Sequence, residues 1–120
     1  MGTPHATLDQ KVIEDLRELD DTGEFVREIF TLFITSTPAK LEAMRAAAAS
    51  ESFKEITGLA HQLKSSGGNL GASHFHKLCN ELEDFSSWEN KAALAKLLGS
   101  IESEFENVRN ALQAEMVRAA

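Results

Sequence analysis

A chain of 120 residues has room for one domain, and at this size it buries roughly two-thirds of its unfolded surface. Twelve basic against nineteen acidic residues leave a net charge of −7, which argues against a nucleic-acid partner, since such partners select a basic face. The lone cysteine, Cys79, excludes an internal disulfide and a cysteine-rich metal site, and no apolar run approaches the roughly 18 residues of a membrane span. With no export-type segment at its start, the chain is expected in the cytoplasm.

Residues 1–7 read as a tail and 8–120 as one helical domain. Tyrosine is absent, prolines number two, and no segment alternates apolar and polar residues as a half-buried strand does. Leu8, Val12, Ile13, Leu16 and Leu19 recur at helical spacing and predict a short first helix, stopped by Asp20-Asp21-Thr22-Gly23. A long second helix carries Phe25, Val26, Ile29, Phe30, Phe33, Ile34, Leu41 and Met44. Pro38 lies inside it and is expected to kink rather than break it, because residues 39–49 are rich in strong helix formers. Ser50 or Ser52 caps a third helix that runs to about Leu70. A tight link over 69–72 follows, and Ser73 is the expected N-cap of a fourth helix reaching about Phe85. After a second link, 86–90, a fifth helix runs from near Lys91 towards Val117, weakened by about 1 kcal/mol at Gly99. The pattern predicts an all-α fold, an antiparallel up-down four-helix bundle with an additional short N-terminal helix. These helices suffice to close a bundle alone, so a monomer is expected.

With about 100° of turn per residue, Phe53, Ile56, Ala60, Leu63, Gly67 and Leu70 fall within a sector about 80° wide, the buried stripe of the third helix. His61 points about 130° away from the centre of that sector and is expected to face out. Thr57, Ser65 and Gly68 share its side, and Lys64 lies between this surface and the stripe. Gly67-Gly68 costs helix stability. Two explanations stay open: the glycines permit close helix packing beside a solvated histidine, or they let another molecule approach it.

Residues Ala60-His61-Gln62-Leu63-Lys64-Ser65-Ser66-Gly67-Gly68-Asn69-Leu70-Gly71-Ala72 resemble the signature of the histidine-containing phosphotransfer (HPt) family. That pattern is a histidine followed by an apolar residue at +2, lysine at +3, small residues through +7, an apolar residue at +9 and glycine at +10. Phe75, Leu78, Cys79, Leu82 and Glu83 continue the match along the fourth helix. One departure is Ser65, where many members carry glycine; its hydroxyl could alter the fit of a partner.

The resemblance implies a phosphoryl carrier. Nε2 of His61 accepts the group and exchanges it with an aspartate of a response-regulator receiver domain, in a relay fed by a sensor or hybrid histidine kinase. Glu83, 22 residues beyond, is the candidate acceptor for the Nδ1 proton. Lys64 is expected near the phosphoryl oxygens, Gln62 against the phosphoryl group or the partner, and Thr57, Ser65 and Gly68 on the partner surface, with Gly68 giving steric clearance. The sequence holds no glycine-rich nucleotide loop and no plausible Mg²⁺ cluster. No cofactor is therefore expected on this chain, Mg²⁺ being supplied by the receiver, and the chain is expected to carry rather than catalyse.

Two rival classes are open to test. A metal-binding bundle would use His74, His76 and Cys79, but residues two apart on a helix diverge by about 160°, which disfavours a shared ion. A non-catalytic interaction or dimerisation bundle would show no acid-labile, base-stable phosphorylation of His61.

Overall fold

The computed structural model describes residues 7–118 and contains five helices: Gln10–Glu18 (α1), Glu24–Ala49 (α2), Phe53–Asn69 (α3), Ser73–Glu83 (α4) and Lys91–Arg118 (α5). Apart from Thr7, the tail expected over 1–7 lies outside the described residues. No strand occurs among the described residues.

Each long helix buries one stripe. In α2 the stripe is Val26, Phe30, Phe33, Thr37, Leu41, Met44 and Ala47; in α5 it is Leu94, Leu98, Ile101, Phe105, Val108 and Leu112. Steps of three and four residues average near 3.5, the spacing that lets helices lie along one another at shallow angles. α2 packs on α3 and α5, α3 on α4, and α4 on α5, so the four close a ring. The links between α2 and α3 and between α3 and α4 are only three residues long, which forces antiparallel neighbours. At the centre the Phe33 ring stands edge-on to Phe75 at 5.6 Å and tilted to Phe105 at 5.8 Å. Burying each such ring stabilises the fold by roughly 1.5–3 kcal/mol.

α2 runs unbroken through Pro38. The proline withdraws a single backbone donor, and the alanine-rich turns after it keep the helix going. Two apolar residues of the predicted helices lie outside the core, and the two predicted serine caps differ from expectation. Leu19 is 79 % exposed, because α1 stops at Glu18 and its apolar face ends with it. Phe25 is 51 % exposed, one step of about 100° off the stripe that begins at Val26. Ser73 is the first residue of α4 rather than its cap; Ala72 holds the cap position, and the Ser73 hydroxyl turns back to the Gly71 carbonyl at 3.5 Å. Ser52 does occupy the cap position of α3, yet its hydroxyl bonds that of Ser50 at 3.0 Å and leaves the helix amides alone.

The link from α3 to α4 explains part of the glycine-rich segment. Gly71 adopts φ +78°, and the Ala72 N–H reaches the Gly67 carbonyl (2.9 Å) while the Gly71 N–H reaches that of Gly68 (3.1 Å). This is the left-handed helix stop that glycine makes cheaply. Gly71 also meets α1: the Asp9 N–H donates to its carbonyl at 2.7 Å, and a Cβ there would lie 3.0 Å from Val12. α1 thus covers this end of the bundle, where Arg17 bonds both the carbonyl and the carboxylate of Glu115 on α5.

Gly67 faces the core. A Cβ at this position would come within 2.6 Å of Cδ2 of the fully buried Phe75. Gly67→Ala should therefore destabilise the domain in urea titrations by about 1–2 kcal/mol, the cost of overpacking outweighing the gain in helix propensity.

Candidate functional site

Because α3 and α4 pack as an antiparallel pair, Gly68, Lys64 and His61 descend one helix as His76, Asn80 and Glu83 ascend the other. In those directions both sets step by four residues and then by three, the spacing of a single helix face. Three rungs join them. His61 Nδ1 lies 2.7 Å from Glu83 Oε2. The Lys64 ammonium donates to Glu83 Oε1 and, at 3.3 Å, to Asn80 Oδ1. His76 Nδ1 lies 2.9 Å from the Lys64 carbonyl, which can only accept, so His76 donates.

The electrostatics of this seam fix the chemistry of the His61 ring. The hydrogen bond from Lys64, ahead of that from His61, holds the Glu83 carboxyl below the usual carboxylate range, against the opposing effect of partial burial. An ionised carboxylate only accepts, so Nδ1 of His61 carries the proton. In the neutral ring Nε2 is then left with its lone pair. The imidazole is 62 % exposed, so that lone pair is open to an incoming electrophile.

Of the predicted residues, His61, Lys64 and Glu83 are brought together. Gln62 and Ser65 are exposed on α3, and Thr57, half-buried, donates its hydroxyl to the Lys54 carbonyl at 2.9 Å. Two placements differ from expectation. Lys64 was expected beside the phosphoryl oxygens, yet its ammonium stands on the Nδ1 side of the ring, engaged with Glu83 and Asn80. Gly68 was expected to give a partner steric clearance. A Cβ at 68 would instead lie 2.8 Å from Nδ1 of His76, so the absent side chain already makes room inside the molecule for the rung from His76 to Lys64.

Asn80 and His76 are the site residues that sequence reasoning missed. The signal was available: 76, 80 and 83 repeat along α4 the spacing of 68, 64 and 61 along α3. His74, two residues from His76, lines a separate groove between α4 and α5. Among the described residues no three His, Cys, Asp or Glu side chains are grouped to hold a metal ion.

The Hpt domain family matches residues 28–115, from the second turn of α2 to the last turn of α5. The chain belongs to the Hpt domain family. All residues of the seam lie within the matched span, and α1 lies outside it. This Hpt domain is 25 % identical over 92 residues to multistep phosphorelay regulator 1 of Schizosaccharomyces pombe; the alignment covers 75 % of the chain and 31 % of that protein. It is 25 % identical over 104 residues to histidine-containing phosphotransfer protein 5 of Arabidopsis thaliana, covering 82 % of the chain and 66 % of the relative. Among solved structures, histidine-containing phosphotransfer protein B from Pseudomonas aeruginosa superposes with a TM-score of 0.81 at 25 % identity, over 96 % of this chain and 98 % of that one. The Hpt fold is thus matched end to end, while the chain spans less than two-thirds of those yeast and plant relatives. No helix among the described residues is long and apolar enough to cross a membrane.

Proposed function

We propose that this Hpt domain is a phosphorelay carrier whose phosphoacceptor is Nε2 of His61. The single observation that carries the reading is the bond from His61 Nδ1 to an ionised Glu83, which leaves the exposed ring nitrogen bare. In the proposed step the Nε2 lone pair attacks the phosphorus of a receiver's aspartyl phosphate. The N–P bond forms as the P–O bond to the aspartate breaks, and the carboxylate leaves. The Nδ1 proton stays in place, and the positive charge that develops on the ring is met by Glu83. Return transfer runs the same path backwards. Mg²⁺ and the acidic pocket belong to the receiver in this scheme, and this chain contributes the nucleophile and its orientation rather than an enzyme's turnover. A sensor or hybrid kinase feeds the relay, and the partners meet in the cytoplasm. A purely adhesive bundle offers no reason to commit a carboxylate and an ammonium group to ordering one exposed ring.

The receiver also needs somewhere to sit. A standard interface covers about 800 Å² per partner, a patch roughly 30 Å across, so it extends well beyond His61. Between α3, at Ser66 and Asn69, and α2 lies an apolar groove whose walls include Leu16, Phe25, Ile29 and Leu32. Leu32 is 65 % exposed there. We assign this groove to an apolar helix surface of the receiver. Leu32→Asp should raise the receiver Kd by about 10- to 100-fold in calorimetric titrations, while stability changes by no more than about 0.5 kcal/mol. An unchanged Kd would remove the groove from the docking surface.

The function is tested by mixing the chain with a receiver bearing ³²P on its aspartate. Label should move to the chain as an acid-labile, base-stable adduct. Label that stays on the receiver, or that survives acid on the chain, would refute the carrier role.

A further inference from the structure

The geometry points to Asn80 as a positioning residue of the phosphoacceptor site, acting on His61 through Lys64 and Glu83. This inference deepens the carrier reading of His61 and rests on it for its catalytic meaning, though the ring geometry it concerns can be measured without any partner.

Asn80 is an exposed residue in the middle of α4, one turn before Glu83. Its amide is oriented from both ends. Oδ1 accepts from the Lys64 ammonium at 3.3 Å, and Nδ2 donates towards Asp84 Oδ2 at 3.5 Å. Reversing the amide would turn its NH₂ on the ammonium and its oxygen on the carboxylate, so the surrounding charges permit one orientation only. The result is a continuous chain of groups, Asp84 to Asn80 to Lys64 to Glu83 to His61.

Lysine has a long, flexible side chain whose ammonium is normally drawn into water. Here it is half-buried across the seam, and its backbone carbonyl takes the additional bond from His76. A single acceptor would leave the ammonium free to swing about Glu83 Oε1. The second acceptor, Asn80, sets the direction of approach and so the rotation of the Glu83 carboxylate. That rotation decides whether Oε2 faces Nδ1 of His61. The choice of an amide matters too. It offers Lys64 an acceptor without offering a second negative charge, so the ion pair with Glu83 is not divided with position 80. It also stands between Lys64 and the carboxylate of Asp84, which would otherwise compete for the same ammonium.

Two consequences separate this role from simple surface packing. A neutral histidine in water prefers its proton on Nε2, and the seam reverses that preference. Loosening the seam should return part of the population to the Nε2–H form. The effect of Asn80 should also pass through Lys64, making the two substitutions non-additive.

The test is a double-mutant cycle of Asn80→Leu and Lys64→Met on the full chain. The readouts are the ¹⁵N shifts of the neutral His61 ring and the rate of phosphoryl acceptance from a receiver. Asn80→Leu should move the ring nitrogens towards the Nε2–H pattern and slow acceptance about three- to ten-fold, the size of one exposed hydrogen bond. In the Lys64→Met background the same substitution should change neither quantity further. Asn80→Gln, which keeps an amide, should recover part of the ring signature. Unchanged ¹⁵N shifts in Asn80→Leu, or an equal factor in both backgrounds, would overturn the assignment. A ring that responds as expected in a chain that accepts no phosphoryl group would uphold the positioning role and refute the carrier reading instead.

Discussion

His61→Gln should abolish phosphoryl acceptance entirely while the bundle remains folded. The chemical step needs a nitrogen lone pair able to form a bond to phosphorus, and a glutamine amide has none to give. Glutamine is the informative replacement because its side chain is polar, similar in reach, and able to donate to the oxygen of Glu83 that His61 now uses. The seam therefore keeps its shape, and only the nucleophile is removed. The imidazole is 62 % exposed and contributes no core packing, so the stability change belongs with surface substitutions, within about 0.5 kcal/mol. Circular dichroism and thermal melts should overlay those of the unsubstituted chain, and label transferred from a phosphorylated receiver should fall to background. Transfer persisting above background would place the acceptor elsewhere. His76 would then be the first residue to examine, since its Nδ1 is likewise bonded and its ring is likewise exposed.

The bundle was legible in the chain because the buried stripes are long and regular. The steps from Leu94 to Leu112 place one residue per turn on a single face, and nothing but a helix satisfies them. The break at Asp20 to Gly23 was equally plain: the Asp20 carboxylate accepts from the Val26 N–H at 2.8 Å, and Gly23 takes φ +80° at the entry to α2. Helix ends proved harder at Ser52 and Ser73. A serine near a helix start advertises a cap, but the hydroxyl of Ser52 found its neighbour Ser50, and Ser73 slid one residue into α4. These contests between nearby hydrogen-bond partners turn on fractions of a kcal/mol that residue types do not encode.

In the site, the outward direction of His61 followed from the wheel of α3 alone, while Glu83, 22 residues beyond, came from the resemblance to the HPt family. What one helix could not reveal was the register between two. Lys64 was expected near the phosphoryl oxygens, and on its own helix nothing shows what restrains it. Its actual partners, Asn80 and Glu83, come from α4 and are fixed by how Gly67 and Gly68 let Phe75 and His76 approach. The glycine pair is thus doubly constrained, with one residue seating a core ring and the next seating the rung from His76 to Lys64. Of the two explanations that the sequence left open, close packing applies at both positions, since each absent side chain makes room for a residue of α4.

Glu83→Ala is the second substitution with a large expected effect, and its consequences follow from charge. With the carboxylate gone, Nδ1 loses its acceptor and Lys64 loses its ion pair. The ring reverts towards the Nε2–H tautomer, and the positive charge of the phosphorylated imidazole loses its counter-charge. Acceptance from a receiver should slow by about 100-fold, the lower end of what a positioned acid or base supplies. Glu83→Gln should lie between, near ten-fold, because its amide oxygen still accepts from Nδ1 but brings no charge. The pH behaviour separates this account from a mere loss of packing. Lys64 first, and then His61, hold the Glu83 carboxyl below its usual range. A carboxyl with a depressed folded-state pKa adds stability that is present above the unfolded value, about 4.3, and is lost as pH falls through the folded one. The unsubstituted chain should therefore lose more stability than Glu83→Gln when urea titrations are taken from pH 6 down to pH 3, and the two should converge at the acid end. A difference that stays constant across that range would show that its neighbours do not hold the Glu83 carboxyl ionised, and an alanine variant that accepts label at the unsubstituted rate would show that this carboxylate takes no part in the chemistry.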